Sequence, residues 1–331
     1  MPGMRQYCTL FDHNYIDRGL ALYRSLLRHC GEFTLHVLCL DQATLQALSS
    51  LSLPRIVLIG VESLESWDPD LRTARDDRAP VEFYFTCKPV LLGYLLDRHP
   101  DISSIEYLDS DLYFFSDPET VEQEYAGSPI ALSPHGFDAG NAGRLKYGKF
   151  NAGWVSVCGD GEGRRFVRWW RDRCMEWCRL TVEDTRFADQ KYLDRVPGLF
   201  PHSVAVHHPG ANLAPWNVGG RQVELSEQGV CVDGRPLVFF HFHGLRQMMF
   251  GVFDSGLHDY GVRLSGAMKT GIYSPYVGAL LECRRQLLDL PAPVRAQLDT
   301  LRRAPGALNL ARQIVRSARA IARRTIIVRA A

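Results

Sequence analysis

The sequence predicts an α/β protein built on a parallel, doubly wound sheet. Three observations carry that expectation. Apolar segments of strand character alternate with segments of helical periodicity through the first half of the chain. The strand segments are short apolar runs, as expected of strands covered on both faces. One of them, Ser104 to Leu108, runs directly into the aspartates Asp109 and Asp111, at the strand end where open α/β sheets hold ligands.

The elements follow in order. Gln6 to Phe11, Phe33 to Leu40 and Arg55 to Ile59 read as strands. Asp17 to Arg28 has Leu20, Leu22, Tyr23, Leu26 and Leu27 at helical spacing, and Ala43 to Leu51 is a second, shorter helix. Leu91 to Leu96 lies in a further helix before the acidic strand, and Lys88-Pro89 fits its start, because proline is tolerated in a first turn. The second half is less regular. Pro129 to Leu132 and Trp154 to Val157 read as strands, with a loop from Gly136 to Gly148 between them. Gly163 to Leu180 and Asp184 to Arg195 read as helices. Val230 to Val232 and Pro236 to Phe242 form a hairpin across Asp233-Gly234. Leu280 to Arg303 is helical, Pro305-Gly306 breaks it, and the pattern resumes from Ala307 to Arg329.

The 331 residues suit about two domains, or one large enzyme domain with a tail. The nine cysteines are odd in number and form no paired C-x-x-C units, so free thiols in a reducing cytoplasm are expected. No stretch is long and apolar enough to span a bilayer. The net charge of +1 is unevenly placed. Arg295 to Ala331 carries nine arginines against Asp299, or +8, which leaves −7 on the rest. The body therefore has no electrostatic reason to bind nucleic acid. Arg312, Arg316, Arg319 and Arg323 share one helical face of the tail, with alanines, valine and isoleucines mainly on the other. Such a helix suits either an anionic membrane surface, which would place the protein peripherally on the inner face of the cell membrane through residues 305–331, or packing on the body's acidic surface or on a partner.

Two carboxylates one residue apart at the end of a buried strand repel each other unless a cation lies between them. Hard divalent ions such as Mn²⁺ and Mg²⁺ prefer oxygen ligands of this kind, shared with phosphate. An ordinary turn gives the same D-x-D pattern. The apolar run Leu112 to Phe115 that follows favours the metal reading.

These residues resemble the GT-A-fold glycosyltransferases. Asp109-Ser110-Asp111 is similar to their D-x-D motif. Further segments resemble the retaining family 8 type, which includes glycogenins and the bacterial lipooligosaccharide galactosyltransferases. These are Asp12-His13-Asn14-Tyr15 after the first strand, Phe150-Asn151-Ala152-Gly153, Asp189-Gln190, and His241-Phe242-His243-Gly244. Their order agrees from about residue 5 to residue 250. In place of a lysine that the family often has after the last segment, this chain has Gln247, with Arg246 as the basic neighbour.

The resemblance implies a GT-A (Rossmann-like) mixed, mainly parallel sheet over residues 1–260, a helical extension over 261–304, and the tail. It implies a nucleotide-sugar donor, expected to be a UDP-sugar, and a carbohydrate or lipid-linked glycan acceptor, as in cell-surface polysaccharide biosynthesis. Asp12, Asn14 and Tyr15 would hold base and ribose, and Lys88 would lie near the donor. Asp109, Asp111 and His241 would bind Mn²⁺ or Mg²⁺ with the diphosphate, and Ser110, Gly244 and Arg246 would lie beside it. Asn151 and Gly153 would line the sugar side, with Asp189 and Gln190 near the anomeric carbon as catalytic candidates. Of His241 and His243, read as facing opposite ways on a strand, one is expected to enter the site. A nucleotide-sugar-forming nucleotidyltransferase is a competing reading, but the segment Asp12 to Gly19 lacks the Gly-rich basic loop of that class. A non-catalytic carbohydrate-binding scaffold is the third, against which the acid pair and His241 speak.

Overall fold

The structure is a computed structural model that describes residues 4–248, 252–301 and 326–327. In chain order the first strands are β1 (Arg5–Phe11), β2 (Phe33–Cys39), β3 (Ile56–Gly60), β4 (Ser104–Leu108), β5 (Leu112–Phe114), β6 (Ile130–Pro134), β7 (Phe150–Cys158) and β8 (Ser203–Ala205). All but β5 form one seven-stranded sheet in the order β3-β2-β1-β4-β7-β6-β8. The strands from β3 to β4 are parallel, β7 is antiparallel to β4 and β6, and β8 is parallel to β6. The expected mainly parallel sheet is therefore present, in mixed form.

Alternation along β1 explains how both faces are filled. Tyr7 and Phe11 join one apolar cluster, while Cys8 and Leu10 join the other. Helix α1 (Ile16–His29) covers the first face with Leu20, Tyr23 and Leu26. Gly19 lets it approach closely, since a Cβ there would lie 2.2 Å from the Phe11 ring. Helix α2 (Gln42–Leu51) follows β2, with Asp41 accepting from the Thr44 amide at 2.7 Å as its N-cap. Helices α3 (Pro80–Arg98) and α4 (Gly161–Glu176) pack the other face through Leu91, Leu95, Phe166 and Trp170.

The smaller strands are β9 (Val223–Ser226), β10 (Gly229–Val232), β11 (Arg235–Pro236), β12 (Phe239–His241), β13 (Arg246–Gln247), β14 (Phe253–Asp254) and β15 (Ile326–Ile327). Helices α5 (Ser274–Leu288) and α6 (Ala292–Leu301) complete the described chain. α5 packs on the domain, with Tyr276 stacked on Phe242 at 3.7 Å between ring centroids. Among the described residues no helix is long and apolar enough to cross a membrane.

Several expected elements differ in detail. Lys88 does not open a helix. α3 starts with Pro80 in its first turn and runs through Pro89, which puts Lys88 in the middle. Pro80, not Pro89, is the proline whose missing N–H costs nothing. Asp184 to Arg195 is not a continuous helix. Ala188 has φ +47°, Asp189 and Gln190 lie in the turn, and a short 3₁₀ segment covers Lys191–Arg195. The Asp233-Gly234 hairpin forms with φ +50° and +78°, as a primed turn requires, but only β10 and β11 share it. β12 leaves the hairpin to pair with β5. The long C-terminal helix is split into α5 and α6 around Pro291, which cannot continue a helical hydrogen-bond ladder. Of the tail helix expected over 305–331, only Ile326 and Ile327 are described. They form β15, antiparallel to β14, so the helical pattern does not hold there. The remainder of that expectation lies outside the described residues.

One buried acid sits behind the site in β4. Glu106 accepts from Ser156 Oγ at 2.9 Å and from the Tyr125 hydroxyl at 3.3 Å. Burial, with Glu122 nearby, pushes its carboxyl up to about 8. Between the ordinary carboxyl range and pH 8 the unfolded chain releases this proton while the folded chain keeps it. Folding stability therefore falls as pH rises across that window. Glu106→Gln is expected to raise the melting temperature by a few degrees at pH 8 and to have little effect at pH 5, as read by differential scanning calorimetry.

Candidate metal and donor site

The sheet's chain order reverses between β1 and β4, which opens a crevice at their carboxyl ends. β1 ends at Asp12 and β4 ends at Asp109. Because β7 runs antiparallel to β4, with Leu108 opposite Trp154, the start of β7 arrives at the same edge. The Asp109 amide donates to the Gly153 carbonyl at 2.8 Å. β5 follows the acid pair and is antiparallel to β12, with Leu112 opposite His241. The Phe242 amide donates to the Asp111 carbonyl at 2.9 Å. Two distant strand pairings thus converge on Asp109, Asp111 and His241.

Ligand atoms of these three side chains all lie within 4.8 Å of one another. His241 Nε2 is 3.1 Å from Asp111 Oδ1 and 3.9 Å from Asp109 Oδ2. Burial alone would raise the Asp111 carboxyl, but His241 holds it well below the usual range. Two carboxylate oxygens and an imidazole nitrogen suit Mn²⁺ or Mg²⁺. Gly153 keeps the space open: a Cβ there would lie 2.6 Å from His241 Cε1 and 2.9 Å from Asp109 Oδ2. The residues present therefore fit a divalent ion.

Lys88 reaches this group from the middle of α3. Its Nζ is 2.9 Å from Asp109 Oδ1 and 3.2 Å from Asp189 Oδ2, and it donates to the Ala152 carbonyl at 3.3 Å. Burial would lower its pKa, but Asp109 and then Asp189 reverse this and hold the ammonium above the ordinary lysine range. Asp189 is itself fixed by its backbone, whose carbonyl accepts from Trp170 Nε1 at 2.9 Å. Gln190 is half-buried beside it, with Nε2 donating to the Tyr147 carbonyl at 3.0 Å. Asn151 is buried, and its side-chain oxygen accepts from the Gly153 amide at 3.0 Å. Ser110 is buried between the two aspartates.

At the end of β1, Asp12 accepts from the Asn14 amide at 3.0 Å, from Asn14 Nδ2 at 2.9 Å and from the Tyr84 hydroxyl at 3.2 Å. Asp12, His13 and Asp41 form a second close group. There Asp41 is already engaged as the α2 cap and as partner of the His13 ring at 2.8 Å. Tyr15 is exposed, with the Arg18 guanidinium 4.1 Å from its ring centroid. Gly244 has φ +78° in the turn closed by Leu245 N–H to the Phe242 carbonyl, which is why glycine stands there. Arg246 is exposed on β13, and its charge acts on His243 and Tyr260. The expectation that His241 and His243 face opposite ways fails. Residues two apart on a strand share a side, and both rings flank Trp216, at 5.0 and 5.6 Å.

Sequence reasoning missed four contributors. Tyr107 donates its hydroxyl to Asp109 Oδ1 at 2.9 Å. Its position two residues earlier on the strand was the available signal. Tyr84 reaches Asp12, and Arg18 joins α1 to the loop after β12 through the Leu245 carbonyl at 2.8 Å. Buried His135 packs edge-on against Trp216 at 5.4 Å, beside the site. No local pattern marked Tyr84 or His135.

A mixed sheet with a crevice at β1 and β4, an acid pair after β4 and a histidine delivered by β12 make up a fold of the GT-A type. The galactosyltransferase LgtC, solved in complex with donor and acceptor sugar analogs, superposes with a TM-score of 0.52 over 88% of this chain and 99% of LgtC, at 15% identity. An active-site mutant of LgtC gives 0.53 over the same shares at 14% identity. Two Bacillus subtilis (strain 168) proteins are similar in sequence. The uncharacterized protein YfnF is 29% identical over 248 residues, 72% of this chain and 81% of its own length. The uncharacterized protein YfnD is 29% identical over 278 residues, 82% of this chain and 87% of its own length. No protein-family model matches the chain.

Two outcomes test this geometry. Lys88→Met leaves two carboxylates without their buried partner and is expected to destabilise the fold by about 3–5 kcal/mol in urea denaturation. Pairing it with Asp189→Leu should restore part of the loss. Gly153→Ala is expected to preserve the circular dichroism spectrum and to weaken Mn²⁺ binding, measured by electron paramagnetic resonance of free ion, by about tenfold or more.

Proposed function

We propose that the protein is a metal-dependent glycosyltransferase that moves a hexose from a UDP-sugar to a glycan or glycolipid acceptor with retention. The observation that carries this reading is the close group of Asp109, Asp111 and buried His241 at the crevice of a GT-A fold. A bound Mn²⁺ or Mg²⁺ would stabilise the negative charge that builds on the departing diphosphate. Asp109, Asp111 and His241 hold that ion's place, and Asp12, Asn14 and Tyr15 lie where β1 would receive the base and ribose. Lys88 locks Asp109 and Asp189 in position. Asp189 and Gln190 face the sugar, where a carboxylate or amide oxygen stabilises the oxocarbenium character of the anomeric carbon.

The acceptor side has its own support. Trp216 is buried against His241, beside the metal group. Trp216 Nε1, Asn212 Oδ1 and His135 Nδ1 are buried without a hydrogen-bond partner among the described residues. Such atoms suit sugar hydroxyls. Tyr260 links Trp216 to a groove of about 920 Å³ lined by Asn141, Gly143, Arg144, Gly219 and Tyr260, wide enough for more than one sugar unit.

Calorimetric titration with UDP, GDP and CDP tests the reading. UDP is expected to bind only with Mn²⁺, and Asp111→Ala should abolish that dependence. Asp189→Ala and Gln190→Ala should lower turnover far more than donor affinity. Binding of no diphosphate by folded protein would refute the proposal.

A further inference from the structure

The charges around the acid pair do not balance once a donor arrives. Asp109, Asp111 and Asp189 bring three negative charges, and Lys88 supplies one positive charge already shared between Asp109 and Asp189. A divalent ion balances the remainder, so within this group no positive charge is left over for the diphosphate. Gln247 supplies none, and its side-chain oxygen accepts from Arg284. Arg284 is committed as well, with Nε 2.6 Å from Asp17 Oδ2.

Of the two arginines left over, Arg246 is exposed on β13, and Arg18 is the one whose charge acts on Asp111. It lies in the first turn of α1, part-buried, and among the described residues its guanidinium forms no ion pair with a carboxylate. Two contacts aim it. The Tyr15 ring lies 4.1 Å from the guanidinium carbon, and Nη2 donates to the Leu245 carbonyl at 2.8 Å. Tyr15 belongs to the β1–α1 connection, and Leu245 to the turn after β12, so Arg18 is held between two segments that flank Asp111. Its charge acts on Asp111 across the gap between them. The Leu245 carbonyl takes only one of the five guanidinium N–H groups, and a guanidinium presents paired N–H groups that match phosphate oxygens.

We infer that Arg18 binds the diphosphate of the nucleotide donor, taking the place that Gln247 and Arg284 cannot fill. This rests on the donor-site reading above. Arg18 is then a substrate-binding residue that meets the leaving group beside Asp111. Retention of Tyr15 and Leu245 as its supports makes the clamp rigid before the donor arrives.

The test is calorimetry on the full chain with Mn²⁺, comparing UDP, UMP, uridine and inorganic pyrophosphate in the wild type, Arg18→Gln and Arg18→Lys. Glutamine keeps a donor for the Leu245 carbonyl and removes the charge. UDP and pyrophosphate affinity should fall by about tenfold or more in Arg18→Gln and recover in part in Arg18→Lys. Uridine affinity should not change, and UMP should change less than UDP. Unchanged UDP affinity, or equal weakening of UDP and uridine, would overturn the inference, the latter by making Arg18 a support for the base pocket. Pyrophosphate binding that depends on Arg18 while no nucleotide binds would keep the clamp and reject the nucleotide-sugar reading. Wild-type protein that binds neither UDP nor pyrophosphate would overturn both.

Discussion

Three carboxylates gather where β4 ends, and the buried ammonium of Lys88 is what allows them to stay. Asp189 is almost fully buried, and burial pushes its carboxyl above the ordinary range against the pull of Lys88. The lysine comes from the middle of α3, so the helix packed on the sheet's far face also sets the charge of the site. The Asp189 turn rests on Trp170 of α4, and Asp109 is tied to β7 through Gly153. A change in the packing of Lys88 or Asp189 reaches Asp109 through one nitrogen atom, and a change at Gly153 reaches it through its own amide.

The region above the acid pair has a different character. His135, Trp216 and His241 form a roof of rings, with Asn212 and Asn217 holding its backbone. Asn217 Nδ2 donates to the carbonyls of His135 and Asn212, and its oxygen accepts from the Ala214 amide. A loop without regular structure is thus made rigid by one side chain's hydrogen bonds. This part of the chain carries little periodic signal because its order comes from side-chain bonds rather than from a ladder.

Local patterns made much of the site legible. The strand before Asp109, the glycines at 153 and 244 and the His241 segment are short motifs whose physical reasons are local, namely a strand end, a crowded Cβ and a positive φ. The sheet was legible because its strands are apolar and regularly spaced. The helix around Lys88 was misread because Pro89 looked like a start signal, while tertiary packing carried the helix through it. The pairing of β5 with β12 was not legible, since nothing in either three-residue strand names its partner. Arg18 stood three residues from Tyr15 and was passed over because the resemblance pointed to Arg246 instead. At 15% identity to LgtC the shared backbone is kept, and the charges around it are free to be redistributed.

The pairing of β5 with β12 also sets an order of events. Asp109 is joined to α3 and β7 by contacts within the first half of the chain, whereas His241 is supplied by a strand more than a hundred residues later. Contacts of such separation form late, because loop closure must precede them. A nascent chain emerging from the ribosome would hold Asp109 with Lys88, and Asp111 without its histidine, for the whole time that the second half is being made. The competence to hold an ion would arise only when β12 docks, which makes the site a report that the entire domain has been completed.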